Sequence, residues 1–480
     1  MSSIAASPTI PLSSTRSRHR QAQVVVVGAG SAGLNAFHAL RQMGADVLLV
    51  DRGPLGTTCA RVGCMPSKAV LHAAAQWHCL AQGTVSPVGT YQQPQQLWQQ
   101  ALAMRDELAG AQAQRTLALG DRLLQGSARF TGPQTLVVED DAGHGTTVTA
   151  QAFVLATGSR PVVPAALQAL DLGERLITTD TLFHLPAPPP RVGVLGLGAI
   201  GLEMGMALRR LGCEVMAADQ ATAPAGLADP VAADVATTWL GRTLDMHLGQ
   251  AAHVQPEGSA LRFTAGSTSR QVDSLLLAVG RRPHWEALQL QQAVADLPDD
   301  PRQLLCTQTL QLGTAPIFAA GDVTGIRPLM HEAVDQGRQA AWQVARTLGL
   351  PVVGAMPTPR TPLSIVFTQP DIAQVGMPWQ ALDPIRTAVG TARGAGNGRS
   401  KVMHARDNLL RLYADTATGR LLGATIVAER GEHLAHLLAW AVMRGETVHS
   451  LQQLPTYHPC VEEMIPTALQ DAARQCAATA

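Results

Sequence analysis

Two copies of one glycine pattern constrain this chain more than anything else in it. Gly28-x-Gly30-x-x-Gly33 follows an apolar run at residues 24–27, and Gly196-x-Gly198-x-x-Gly201 follows another within RVGVLGLGAIG, residues 191–201. Behind each come a helical pattern and a second apolar run that ends on an aspartate. That aspartate stands 18 residues past the last glycine both times (51 − 33 for Asp51, 219 − 201 for Asp219). Strand, glycine turn, helix, strand and acid make the βαβ unit that cradles a dinucleotide. The glycines permit a tight turn and let backbone approach a pyrophosphate at a helix N-terminus, and the acid accepts hydrogen bonds from a ribose. A ligand-free turn also uses glycine; placement between strand and helix with the acid at this spacing favours the dinucleotide. Two such sites suggest a flavin and a nicotinamide exchanging electrons. Asp219 bears on the second cofactor, because a carboxylate repels the 2′-phosphate of NADP and binds the free hydroxyl of NAD. No arginine occurs at residues 220–229, so NAD is expected.

Residues 55–68, LGTTCARVGCMPSK, lie just past the first unit and carry Cys59 and Cys64. Residues five apart on a regular helix rise about 7.5 Å and point in different directions. A disulfide needs Cα atoms within roughly 7 Å, so the pair bridges only across a distortion, for which Gly63 supplies backbone freedom. Pro66 suits the first turn of a helix beginning there and running through residues 67–75, and a thiol at a helix N-terminus is acidified. Two readings stand on the residues alone: a dithiol/disulfide couple, or unrelated cysteines near a helix start. Zinc wants a second pair at suitable spacing, which Cys79, Cys213, Cys306, Cys460 and Cys476 do not supply. No metal site is expected.

At 480 residues with 46% hydrophobic content, the chain is expected to form more than one domain with sizeable cores. Lys+Arg and Asp+Glu balance at 36 each, which gives no basic surplus for nucleic acid or an anionic membrane. No apolar run reaches the length of a membrane span. Seven cysteines fit a reducing compartment with one special pair, not a secreted disulfide scaffold. Residues 1–22 are rich in Ser and Arg and lack acids; they read as a disordered tail, with a transit peptide as the alternative.

Residues 76–125 read as helix, and residues 126–138 as short strands. Residues 151–161 form a strand ending in a small-residue turn, and residues 317–325 a strand running into a turn with Asp322. That carboxylate suits ribityl hydroxyls, or an Asx-turn. A helix begins within residues 328–331 and runs to about 348. A Pro/Gly-rich linker at 349–361 precedes an α+β pattern: strands at 364–368, 409–414 and 423–428, a helix at 432–443, and a loop at 394–398. Near the end, LPTYHPCVEE places His458 before Pro459 with Glu463 five residues on. A carboxylate fixes an imidazole's tautomer and raises its basicity, so this is a proton shuttle or an ordinary surface histidine.

Residues 23–475 resemble the flavin-dependent pyridine nucleotide–disulfide oxidoreductases, and among them the dihydrolipoyl dehydrogenases. The family's G-G-T-C-x-N-x-G-C-x-P-S-K is matched at residues 56–68, A-T-G-S at 156–159, G-x-G-x-x-G-x-E at 196–203, V-G-R-x-P at 279–283, A-x-G-D at 319–322 and H-P-T-x-x-E at 458–463. The resemblance implies an α/β fold of two dinucleotide-binding, Rossmann-like domains plus a C-terminal α+β dimerisation domain. Residues 23–160 and 281–350 would bind FAD, 161–280 NAD, and 351–480 would dimerise. Cys59 would be the interchange thiol, Cys64 the thiol next to the flavin, Lys68 a neighbour of the flavin ring paired with Glu203, and His458, held by Glu463, the acid/base. Gly126, Thr157, Gly158, Ser159, Asp322, Met330, His331 and Gly280 complete the cofactor-binding set. In the family that histidine reaches the other subunit's disulfide, so a homodimer is implied and a monomer should be inactive. The implied reaction oxidises dihydrolipoamide, on a protein or free, with NAD+. The implied compartment is the cytoplasm, or the mitochondrial matrix if residues 1–22 are a transit peptide.

Three departures bear on substrate choice: Arg61 stands for Asn, Thr57 for Gly, and Cys460 for the Thr of the His-Pro motif. Within the fold, glutathione reductase would want NADP, mercuric reductases carry a C-terminal cysteine pair and lack the histidine, and soluble transhydrogenases lack the first cysteine. A low-turnover flavin redox sensor or scaffold subunit is a reading of another class.

Overall fold

A computed structural model describes residues 18–81 and 93–476. These form two compact units. The first draws on Met1–Thr57, Ala109–Arg160 and Arg282–Pro357, the second on Thr58–Leu108, Pro161–Arg281 and Thr358–Ala480.

The first unit is built on a seven-stranded sheet. Strand Arg18–Val27 lies between Val47–Asp51 and Gly145–Leu155, parallel to both, with Val24 opposite Val47 on one side and Ala152 on the other. Leu123–Gln125 pairs outside Val47–Asp51. Gly145–Leu155 serves two further neighbours: its last residues pair in parallel with Ile317–Ala319, its first ones antiparallel with Thr135–Glu139, which hairpins with Ser127–Gly132. The parallel strands are covered on both faces, which explains their unbroken apolar runs rather than alternation. Helices Ser31–Gln42 and Met330–Thr347 pack on one face. A Cβ at Gly337 would lie 2.3 Å from the Ala32 carbonyl oxygen, so only glycine allows this approach.

The second unit contains a parallel sheet ordered Asp245–Leu248, Glu214–Asp219, Arg191–Leu195, Ser274–Leu277, Leu176–Ile177. An antiparallel meander of Ala252–Glu257, Ala260–Ala265 and Thr268–Val272 lies on it, with Phe263 against Gly193 and Leu275. The C-terminal sheet is wholly antiparallel, in the order Leu363–Val366, Asp371–Gly376, Leu421–Ala428, Leu409–Asp415, Thr387–Arg393. Helices Gly431–Arg444 and Met464–Ala473 cover it.

Several expectations are corrected. The tail does not extend to residue 22: Arg18–Ala22 is strand, because it pairs with Thr146–Ala150, while residues 1–17 lie outside the described residues. Residues 76–125 are not one helix. Helices Cys64–Ala81 and Pro94–Leu117 are followed by strand Leu123–Gln125, which Leu49–Asp51 captures; residues 82–92 lie outside the described residues. The cysteine helix starts at Cys64, not Pro66, which still falls in the first turn where its missing N–H costs nothing. Residues 394–398 are more than a loop: a 3₁₀ turn, Gly394–Gly396, leads to helix Gly398–Val402, which Asn397 caps by accepting from Ser400 N–H at 2.7 Å.

Residues 161–281 and 358–480 lie in one compact unit, which residues 58–108 join. Buried Asp229 explains much of this. It caps helix Pro230–Leu240 through Val231 N–H at 3.0 Å, and it accepts Arg411 Nε–H at 2.9 Å and Tyr413 O–H at 2.6 Å from the C-terminal sheet. Helix Cys64–Ala81 packs on Ala199–Arg210, and the Trp98 indole N–H donates to Leu185 O at 3.0 Å. Among the described residues no helix is long and apolar enough to cross a membrane.

Candidate redox site and dinucleotide cradles

The two fingerprints fold to the same local geometry. Gly28 has φ +108° and Gly196 φ +97°, a region L-residues rarely adopt. A Cβ at Gly28 would lie 2.3 Å from the Ala156 oxygen, and one at Gly196 2.5 Å from the Ala278 oxygen. A Cβ at Gly33 or Gly201 would fall 1.8 Å from the oxygen of Gly28 or Gly196. Gly30 and Gly198 differ. Each is the N-cap of its helix, and a Cβ at Gly198 would meet no protein atom within 4 Å. The fold therefore does not itself demand glycine there, whereas a phosphate seated on the helix N-terminus would. Neither helix has a side-chain cap or an acid in its first turn. Asp51 accepts Ala29 N–H and Gly53 N–H, each at 2.6 Å, and Asp219 accepts Leu197 N–H at 2.6 Å and Ala221 N–H at 2.8 Å. Each carboxylate is thus locked to its own glycine loop. Both cradles fit a dinucleotide.

The remaining first-unit positions gather around that cradle's rim and strand ends. Gly126, at φ +155°, donates its N–H to Asp51 O at 2.9 Å. Thr157 donates to His284 O at 2.7 Å, Gly158 has φ +72°, and Ser159 donates to Asp322 Oδ2 at 2.7 Å. Met330 opens its helix with its side chain half exposed, and His331 follows it. In the second unit Gly280, at φ +105°, accepts Val162 N–H at 3.0 Å. The sequence offered Ala156 only as the first residue of the A-T-G-S match, and Ala278 was missed. Their carbonyls abut the first glycine of each cradle, and for Ala278 the signal is its recurrence after a matching strand.

The thiol pair sits where two helices meet. Thr58–Val62 carries Cys59, and Cys64–Ala81 begins with Cys64. Gly63 breaks the helix between them, and a Cβ there would press on Cys59 Cα and Thr58 O at 3.1 Å. Both cysteines are free thiols. The Cys59 thiol donates a hydrogen bond to the Cys64 sulfur, which raises the Cys59 pKa and brings Cys64 down to about 7, despite burial pushing the other way. Lys68, one helical turn past Cys64, assists. Its ammonium binds Glu203 at 2.7 and 2.9 Å, and the Glu203 side chain is only 7% exposed.

His458 Nδ1 lies 2.9 Å from Glu463 Oε1, while Glu463 Oε2 accepts Cys460 N–H at 3.0 Å. The bond from His458 keeps the Glu463 carboxyl below its usual range. Cys460 fills the role of a capping threonine, its sulfur meeting the Glu463 N–H. The His458 side chain is 78% exposed. Among the described residues no three His, Cys, Asp or Glu side chains converge to hold a metal ion.

Residues 22–337 match the family model for pyridine nucleotide-disulphide oxidoreductases, and residues 363–469 match that family's dimerisation domain. The chain belongs to the pyridine nucleotide-disulphide oxidoreductase family. It is an FAD- and NAD-dependent flavoprotein disulfide oxidoreductase, and its dimerisation domain supports a homodimer. Similar relatives include dihydrolipoyl dehydrogenase 3 of Pseudomonas aeruginosa, 29% identical over 91% of this chain and 94% of that one. Dihydrolipoyl dehydrogenase of Thermus scotoductus is 30% identical over 93% and 96%. LpdA from Mycobacterium tuberculosis has the same fold, with TM-score 0.79 at 23% identity over 95% of this chain and all of that one. So does the HOCl-induced flavoprotein disulfide reductase RclA from Escherichia coli, with TM-score 0.78 at 21% identity over 93% and 99%.

Proposed function

We propose that this protein oxidises dihydrolipoamide, free or protein-bound, to lipoamide while reducing NAD+ to NADH. The observation that carries the reading is the thiol pair itself, Cys59 hydrogen-bonded to Cys64 where two helices meet and the Lys68–Glu203 ion pair one turn on, in a chain similar along nearly its whole length to dihydrolipoyl dehydrogenases. Bound FAD, cradled by the Gly28 loop and Asp51, supplies the two-electron relay between thiol and nicotinamide. With Cys59 and Cys64 joined as a disulfide, a substrate thiolate attacks the Cys59 sulfur, and the S–S bond breaks with Cys64 leaving as thiolate. The acidity of Cys64 makes it the better leaving group. His458 takes the proton of the second substrate thiol, which displaces Cys59 from the mixed disulfide and closes lipoamide. Glu463 holds the imidazole for that transfer. Lys68 keeps positive charge beside Cys64, and Asp219 selects NAD over NADP. His458 serves the thiol pair of the second copy in a homodimer. A reducing compartment, the cytoplasm or a mitochondrial matrix, suits a dithiol at work.

The test is NADH formation by pure, FAD-loaded protein given dihydrolipoamide and NAD+. It is run beside glutathione disulfide, Hg(II) and a nicotinamide analogue as oxidants. Turnover with dihydrolipoamide is expected to dominate; a faster rate with any of the others reassigns the substrate, and no turnover at all favours a sensor or scaffold.

A further inference from the structure

Lys68 and Glu203 have a third partner that no motif contains. Phe367 follows strand Leu363–Val366 in the C-terminal sheet. Its backbone N–H donates to Glu203 Oε1 at 3.0 Å, and the Lys68 ammonium stands 4.5 Å from the centroid of its ring. Glu203 is therefore engaged at both oxygens by Lys68 and at one of them by Phe367. A lysine stem has many rotamers and loses much entropy when one is fixed. Here a carboxylate and an aromatic face bracket the ammonium, and a ring quadrupole attracts a cation above its face.

We propose that Phe367 is a positioning residue, whose ring directly, and whose backbone N–H through Glu203, fix the ammonium of Lys68, a residue one helical turn past Cys64. The proposal rests on the reading that Cys64 is the electron-passing thiol. Besides burial, which opposes its thiolate, and its own backbone N–H, which favours it, three side chains act on that thiol: Cys59 and Lys68 favour the thiolate, and Glu203 opposes it. Glu203 is held by a backbone N–H and stays when the ring is removed. A loosened Lys68 then leaves the opposing carboxylate in place, so the balance at Cys64 depends on where the ammonium sits.

The experiment follows Cys64 alkylation by iodoacetamide against pH in reduced, FAD-loaded protein, by peptide mass spectrometry. Only the thiolate reacts, so the native rate should rise through a midpoint near pH 7. Phe367→Leu removes the ring face, and pentafluorophenylalanine at 367 keeps its shape while reversing its quadrupole. Both are expected to move the midpoint up by about half a pH unit, with Phe367→Tyr staying at the native value. Leu and pentafluorophenylalanine variants titrating with the native protein would overturn the proposal. If Phe367→Leu does not fold, the fluorinated variant decides alone. Failure of dihydrolipoamide turnover would sink the substrate assignment yet leave this comparison of midpoints intact.

Discussion

Thr57 shows what a single departure from the family pattern does. It has φ +54°, the left-handed region that costs an L-residue roughly 1–2 kcal/mol, and β-branching makes the fit worse. Glycine there pays about 0.5–1 kcal/mol in unfolded-state entropy. Thr57→Gly is therefore expected to stabilise the protein by about 1 kcal/mol, read as a rise in Tm; a fall would show that the threonine side chain outweighs its backbone. This strain sits two residues before Cys59, and strained backbone persists where its surroundings over-determine it. The same scale separates what the sequence shows from what it hides. The partnership of His458 with Glu463 was legible because it is local and its chemistry is specific. Phe367 was not, because its only signal is contact with residues 164 and 299 positions earlier (367 − 203 and 367 − 68).

Among the elements, the βαβ units were readable almost residue by residue, since their glycines, apolar runs and acids all act within one strand–helix–strand span. The C-terminal sheet was readable only in part. Strands Asp371–Gly376 and Thr387–Arg393 carry Gln, Gly, Thr and Arg among small apolar residues, and they are strands because Leu421–Ala428 and Leu409–Asp415 pair with them. The tie between the helix that Asp229 caps and the C-terminal sheet was invisible, because it depends on Asp229 meeting Arg411 and Tyr413 across 182 and 184 residues. Asp229→Ala strips two donors of their acceptor and one helix of its cap. Breaking one partner of a buried pair costs about 3–5 kcal/mol. Urea unfolding should show a loss of that order with the sheets' secondary structure retained at zero denaturant; a loss under 1 kcal/mol would show that the network does not join these elements energetically.

For the whole molecule, the C-terminal domain leaves Leu437, Trp440 and Met443 exposed along one stripe of helix Gly431–Arg444, with Trp440 64% and Tyr457 85% exposed. The proposed action of the exposed His458 on a second copy requires such an uncovered face. Mixing Cys64→Ser and His458→Gln chains, each inactive alone, tests that arrangement. Random reassortment makes half the dimers hybrid, each with one complete site, and should restore roughly a quarter of native activity. If His458 served its own chain, mixing would restore nothing.

The most direct test of the central claim is the visible spectrum of FAD-loaded protein during anaerobic addition of dihydrolipoamide. If Cys64 is the sulfur that passes electrons onward, the native protein develops long-wavelength charge-transfer absorbance at two electrons per chain and the Cys64→Ser variant does not. Equal long-wavelength absorbance in both proteins, or none in the native one, would contradict the account.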